Sequence, residues 1–231
     1  MLDFSNFEFL TFDCYGTLID WETGILSTLH RVLGGHGQSH PDAELLQLYG
    51  DFEAAAQQGK YQEYGEVLRS VARAFGKHFS FRPTTKDTEA LPDSLPMWKP
   101  WPDTVLALRK LQTRYKLAVI SNIDDDLFQA TRPQLPIDFQ SVTTAQQARC
   151  YKPDLEIFKL ALSRIGIPAQ RVLHVGQSIY HDVLPAKSLG LSTVWVNRPS
   201  RRAGVGAVKR VEGTPDWEVP DLATLAARAL A

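Results

Sequence analysis

The chain places four kinds of reactive side chain just after short apolar runs. The run "FEFLTF" (7–12) ends at the carboxylate Asp13, and Gly16 and Thr17 follow within the tight stretch "DCYGT". The run "KLAVIS" (116–121) ends in the hydroxyl Ser121 and the amide Asn122. After "SVTTA" (141–145) the chain reaches Lys152 in "YKPD", and after "RVLHVG" (171–176) it reaches Gln177, Ser178 and Asp182 in "GQSIYHD". An acid shielded at a strand end can act as a nucleophile and form an ester. A lysine beside it would keep it ionised and stabilise developing negative charge. Ser121 and Asn122 can hydrogen-bond an anionic group. Asp182 can hold Lys152 or orient a water, and Gly16 lets the backbone turn tightly beneath a substrate.

Such convergence requires a particular scaffold. The four runs and a fifth, "STVWVN" (192–197), are apolar without alternation, as in strands covered on both faces. Helical patterns separate them at 102–115, with Val105, Leu108 and Leu111 on one face, at 153–166 between Pro153 and Gly166, and at 181–190 ending in Gly190. This order predicts an α/β fold, a Rossmann-like parallel sheet flanked by helices with right-handed crossovers. Ligands of such sheets gather at the C-terminal ends of the strands. Residues 20–98 contain no convincing strand and read as helices at 22–34, 42–58 and 61–78. A proline-rich return follows, with a short helix at 86–91. The expected organisation is a catalytic core of 1–19 and 99–231, with a helical cap of 20–98 inserted over the crevice.

Bulk properties narrow the function. The 231 residues include 25 basic and 26 acidic side chains, a formal charge of −1, so no general attraction to nucleic acid or membrane is expected. Two cysteines form no disulfide framework and no CxxC pattern, which predicts a reducing, cytoplasmic setting. The stretch "MLDFSNFEFL" is not expected to act as a signal peptide, and no 18-residue apolar run is present. Several residues also have plain structural readings. Cys14 should point away from Asp13 into the core, and His174 should be a satisfied core histidine. Tyr15 reads as a substrate-facing wall. His181 beside Asp182 lacks the spaced partners of a metal site. Trp98 and Trp101 either close a pocket or pack at a hinge, and the basic stretch 198–210 reads as a flexible surface loop.

In order and spacing, "DCYGT", "SN" (121–122), "YKPD" (151–154) and "GQSIYHD" resemble the four motifs of the haloacid dehalogenase superfamily of hydrolases, along nearly the whole chain. The resemblance implies a helical cap and Asp13 as nucleophile. Phosphatases of that superfamily carry Asp-x-Asp and usually an acid after the glycine of the fourth motif; here those positions are Tyr15 and Gln177. A phenol of pKa ~10 is a poor proton shuttle, and a neutral amide is a poor magnesium ligand. The form "D-x-Y-G-T" is similar to the L-2-haloacid dehalogenases, which use no metal. By this resemblance Asp13 displaces halide beside a carboxylate, supported by Thr17, Ser121, Lys152, Ser178 and Asp182, with Asn122 at the leaving-group site. Those enzymes also place an arginine in the first cap region to help bind halide; the stretch "LYGDFEAAAQQGKYQEYGEVLRSV" has none at the corresponding place, and Arg69 and Arg73 lie later. A sibling group, the azetidine-2-carboxylate hydrolases, also resembles the chain; a nitrogen leaving group would need a donor such as His181. The expectation is a cofactor-free hydrolase of small 2-substituted carboxylates, possible as a homodimer through its cap. The alternatives are a magnesium-dependent phosphatase, a ring-opening hydrolase and a non-catalytic binding protein.

Overall fold

The computed structural model describes residues 2–198, 206–208 and 211–231. Strand β1 (Phe9–Phe12) runs up the centre of a sheet and is buried along its whole length. The chain then passes through four helices, α1 (Trp21–Gly35), α2 (Asp42–Ala56), α3 (Tyr64–His78) and α4 (Thr85–Ser94). It returns through α5 (Thr104–Leu111) into β2 (Lys116–Ser121). Beyond it come α6 (Asp125–Thr131), β3 (Ser141–Thr144), α7 (Ala145–Ala148), α8 (Leu155–Ile165) and β4 (Val172–Gly176). The last elements are α9 (Leu184–Ser188), β5 (Ser192–Val196), β6 (Trp217–Val219) and α10 (Leu222–Ala229).

Every ladder is parallel, and the sheet order is β3-β2-β1-β4-β5-β6. The order reverses at β1, so the crevice beyond β1 and β4 is where a doubly wound sheet receives ligands. The α/β expectation holds, with one strand more than expected. Strand β6 is only three residues long, too short to register as an apolar run, and it packs on the sheet edge beside β5.

Local chemistry explains the helix limits. The Asp20 carboxylate caps α1 by accepting from Thr23 N, Thr84 and Asp87 form a reciprocal capping box on α4, and Asp154 caps α8. Gly166 and Gly190, both at positive φ, follow α8 and α9. The expected helix at 181–190 is corrected in its first half. Residues Ile179–Val183 form a π-helical turn before α9 begins, and this wider turn sets the spacing of Ser178 and Asp182. On α5 the expected Leu108 and Leu111 are buried and Val105 is half-buried; Thr104 and Ala107 complete the buried face, with Thr104 Oγ1 donating to Leu18 O.

Of the basic stretch 198–210, only Arg198 and residues 206–208 are described; the expected loop otherwise lies outside the described residues. Arg198 is no loop charge. Its guanidinium donates to Asp103 Oδ1 and Thr17 O, both at 2.9 Å, and stacks over Trp101. No helix among the described residues is long and apolar enough to cross a membrane.

The buried face of α5 gives a direct test. Leu108 is fully buried, whereas Leu106 is 65% exposed. Leu108→Ala should lower the unfolding free energy by about 2–5 kcal/mol, and Leu106→Ala should change it by less than about 0.5 kcal/mol. Urea denaturation of both variants reads this; equal losses would contradict the packing.

Candidate active site

At the C-terminal edge of β1, β2 and β4 the chain encloses a cavity of about 70 Å3. Asp13, Ser121, Asn122, Lys152, Ser178, His181 and Asp182 all line it. Their meeting follows from the parallel register: Phe12 lies level with Val119 and Val175, so the residues leaving each strand emerge side by side.

Lys152 is at the centre. Its ammonium donates to Asp13 Oδ1 at 2.8 Å, Asp182 Oδ1 at 2.7 Å and Ile120 O at 3.1 Å, which matches its three protons. It is 2% exposed. Burial disfavours the ammonium, but the two carboxylates outweigh burial and push Lys152 up to about 12. For Asp13, burial wins over the pull of Lys152 and raises the carboxyl above its ordinary value, with Asp182 adding to the rise. For Asp182, burial works against ionisation, yet Lys152 and His174 together hold the carboxyl well below the usual range. Asp182 is therefore a poor proton acceptor, and its geometry favours holding Lys152 over orienting a water.

The remaining bonds are braces. Thr17 Oγ1 donates to Asp13 Oδ2 at 2.7 Å and accepts from Gln177 N at 2.8 Å, tying the β1 turn to the β4 turn. Ser178 N donates to Asp182 Oδ2 at 3.1 Å, while Ser178 Oγ accepts from His181 N. The Asn122 amide grips the Lys152 backbone from both ends, accepting at 2.7 Å and donating at 3.2 Å. Asn122 also lines the cavity, and its Nδ2 carries a second proton beyond the one given to Lys152 O. Two glycines permit the close approach. Gly16 has φ +102, and a Cβ there would sit 2.0 Å from Gln177 Oε1. A Cβ on Gly176 would collide with the Asp182 side chain at 2.5 Å.

Other expectations resolve individually. Tyr15 lines the cavity and its hydroxyl bonds Thr131 Oγ1 at 2.7 Å; burial pushes its phenol well above its ordinary value. Cys14 is fully buried in the core. His174 is satisfied, as expected, but its partners are Thr11 Oγ1 and Asp182 Oδ1, so it also supports the site. Trp98 and Trp101 do not line the cavity; their indoles bond Ser94 Oγ and Gly16 O at the crossing of insert and core. Arg69 and Arg73 pair with Glu66 and Glu89 on the insert, away from the cavity lining.

The helical insert contributes residues that the sequence did not single out: Trp21, Glu53, Gln57 and Tyr64. Ala207 and Val208 close the lining from the C-terminal side. Two polar atoms of the lining residues are buried without a partner, Ser121 Oγ and Trp21 Nε1. Both can donate, and they share the cavity with the Lys152 ammonium. Such an arrangement suits an anionic group.

Magnesium is a poor fit to this donor set. The Asp13 and Asp182 carboxylates are bridged by an ammonium, positions 15 and 177 supply a phenol and an amide, and no cluster of three metal-ligating side chains occurs among the described residues.

The Lys152 bridge predicts a pH-dependent stability loss. Lys152→Met leaves two buried carboxylates without a counter-charge, and should cost about 3–5 kcal/mol at pH 7. Asp182 has a depressed folded value, so its stabilising contribution is present above the unfolded Asp pKa of ~3.9 and fades as pH falls through the folded value. The gap between the parent protein and Lys152→Met should therefore narrow on acidification, because protonation relieves the variant first. Urea melts at pH 7 and pH 4.5 measure it; a gap of constant size would contradict the assignment.

Comparison with known proteins follows the same lines. Residues 8–190 match the haloacid dehalogenase-like hydrolase family. An (S)-2-haloacid dehalogenase of Pseudomonas fluorescens is 24% identical over 223 residues, covering 95% of both chains. Among solved structures, an L-2-haloacid dehalogenase superposes with a TM-score of 0.83 at 22% identity, covering 97% of this chain and 99% of its own. The L-2-haloacid dehalogenase of Xanthobacter autotrophicus with chloropropionic acid covalently bound gives a TM-score of 0.78 at 22% identity, covering 97% and 100%. A hydrolase of Bacillus subtilis bound to magnesium also shares the fold, with a TM-score of 0.79 at 17% identity over 97% and 99%. With the match running from β1 past α9, through all four site-forming turns, the chain belongs to the haloacid dehalogenase-like hydrolases.

Proposed function

We infer that the protein is a metal-independent hydrolase of small 2-substituted carboxylates, with halide as the leaving group, working through an ester on Asp13. The observation that carries this reading is a buried carboxylate held by Lys152 and Thr17 in a cavity whose unpartnered polar atoms, Ser121 Oγ and Trp21 Nε1, are donors. The similarity to (S)-2-haloacid dehalogenases supports it. Residues 20–98 act in this reading as a cap over a core of 1–19 and 99–231.

The substrate carboxylate binds to the free donors and to the field of Lys152. Each Asp13 oxygen accepts one hydrogen bond and keeps a lone pair for attack. Asp13 attacks the carbon next to the carboxylate, the carbon–halogen electron pair leaves as halide, and the carbon inverts. Lys152 holds Asp13 ionised and aimed, which supplies much of the advantage of a bound nucleophile. Water then attacks Cγ of Asp13. The Lys152 ammonium stabilises the oxyanion formed there, and a 2-hydroxy acid departs with the release of one proton. Tyr15, His181 and Ser178 shape the walls of the site. Tyr15 replaces the proton-shuttling acid that an alkoxide leaving group would need, and halide needs none.

Chloride release from L-2-chloropropionate, measured with and without EDTA, tests the reading. The expected result is EDTA-insensitive release that falls by at least ~10³-fold in Asp13→Asn, on the scale of losing a catalytic nucleophile. EDTA-sensitive phosphate release from an aryl phosphate, lost in Asp13→Asn, would replace it with the phosphatase reading.

A further inference from the structure

The insert contributes an acid to a cavity that otherwise suits an anion. Glu53, on α2, lines the same cavity as Asp13, Ser121 and Trp21. Its Oε1 accepts from Tyr64 Oη at 2.5 Å and from Tyr49 Oη at 3.5 Å, and the two phenols are 3.1 Å apart. No hydrogen bond engages Oε2 among the described residues. The Tyr49 ring also meets the Trp21 indole edge-on, with ring centroids 5.9 Å apart. One wall of the cavity thus carries the unpartnered donor Trp21 Nε1 and the unengaged oxygen of Glu53.

Charge makes Glu53 decisive. Lys152 is the one lysine or arginine of the lining among the described residues, and Asp13 and Asp182 already hold it. An ionised Glu53 would set three carboxylates against one ammonium, and a carboxylate ligand would be the fourth. In a cavity of about 70 Å3 a three-carbon acid cannot lie far from any lining group, so its charge and that of Glu53 would repel.

Resting on the reading of this cavity as a carboxylate site, we propose that Glu53 binds the substrate as a neutral acid, donating its Oε2 proton to the substrate carboxylate, so that binding above neutral pH takes up one proton from solvent. The bond from Tyr64 occupies Oε1 and leaves Oε2 to carry the proton. A carboxyl group donating to a carboxylate makes a short, charge-assisted bond, and two carboxylates sharing a site hold one proton between them. Burial pushes Glu53 up to about 7, restrained by the bonds from Tyr64 and Tyr49, so both forms are populated near neutrality. The other titratable groups of the cavity, besides Tyr64, are Asp13, Tyr15, Lys152, His181 and Asp182. The outer cleft that also reaches Glu53 adds Tyr61, Arg149, Cys150, Tyr151, Asp154 and Tyr180. Arg149 lies over the Tyr61 ring at 4.7 Å and lines only that outer cleft. A proton on Glu53 is therefore what offsets the charge of the ligand on this wall.

Isothermal titration calorimetry with propionate, a carboxylate without a leaving group, tests this on the parent protein, Glu53→Gln, Tyr64→Phe and His181→Asn. For the parent, heats in buffers of different ionisation enthalpy should give about one proton taken up per propionate at pH 8.5 and about none at pH 6. Its Kd should rise by ~10²-fold from pH 6 to pH 9, as the neutral fraction of Glu53 falls. Glu53→Gln keeps a donor and cannot ionise. It should bind about as the parent does at pH 6, take up no proton, and bind at least ~10-fold tighter than the parent at pH 9. Tyr64→Phe removes a bond to the ionised form and should move the rise to higher pH, whereas His181→Asn should leave it in place. In turnover of L-2-chloropropionate the same rise should appear in KM and not in kcat. No proton uptake by the parent at pH 8.5, a Kd rise that survives in Glu53→Gln, or one that disappears with His181→Asn would overturn the assignment. So would the absence of saturable propionate binding at pH 6. The Asp13 reading is decided separately, by mass spectrometry of the Asp13 peptide: proton-linked binding without an Asp13 ester would overturn the ester and leave the Glu53 role standing.

Discussion

One buried ammonium between two buried carboxylates organises the structure. Lys152 alone compensates Asp13 and Asp182, and the three groups come from separate strand ends of one sheet. Taking such charges out of water is costly, and only complete hydrogen bonding makes it tolerable. The surrounding contacts serve this requirement: Ile120 O takes the third lysine proton, Ser178 N and His174 take the remaining face of Asp182, and Thr17 takes Asp13 Oδ2. Asn122 fixes the lysine backbone, which is joined to Pro153 by a cis peptide bond. The triad carries a net negative charge, so the site stays attractive to an anion only where further donors are added, and Ser121 and Trp21 supply them.

The same requirement explains the connectivity. A parallel sheet delivers residues from β1, β2 and β4 to one edge without long excursions, and the reversal of strand order at β1 leaves a crevice there. The helical insert leaves the core immediately after the β1 turn and re-enters just before α5. Around that junction, Arg198 pins Thr17 O and Trp101 pins Gly16 O, fixing the turn that carries Asp13. Two residues far from each other in sequence thus hold two successive carbonyls of the turn after β1.

Much of the core was legible in the sequence because its signals are local. Continuous apolar runs marked five strands, and the polar residues that follow four of them marked the site. Strand β6 escaped because a three-residue edge strand with an exposed Glu218 carries too little pattern. The insert was legible as helices but not as a wall. Which of its residues face the cavity depends on how α2 and α3 pack, and Glu53 in "DFEAAAQQ" looks like an ordinary surface glutamate. Its one available signal was the spacing of Tyr49 and Glu53, four residues apart on one helical face. The grip of Asn122 on the Lys152 backbone was not legible for a related reason: an amide at a strand end can serve substrate or backbone, and only the position of Lys152 shows that it holds the backbone.

The central claim is that Asp13, not water, makes the first bond to the substrate carbon. A single turnover with enzyme in excess over L-2-chloropropionate, run in water enriched in oxygen-18, tests it most directly. Attack of water on Cγ of Asp13 places the label in the Asp13 carboxylate and leaves the first-turnover product unlabelled, and this is the predicted result. Label in the product with none in the Asp13 peptide would show direct attack by water and contradict the account.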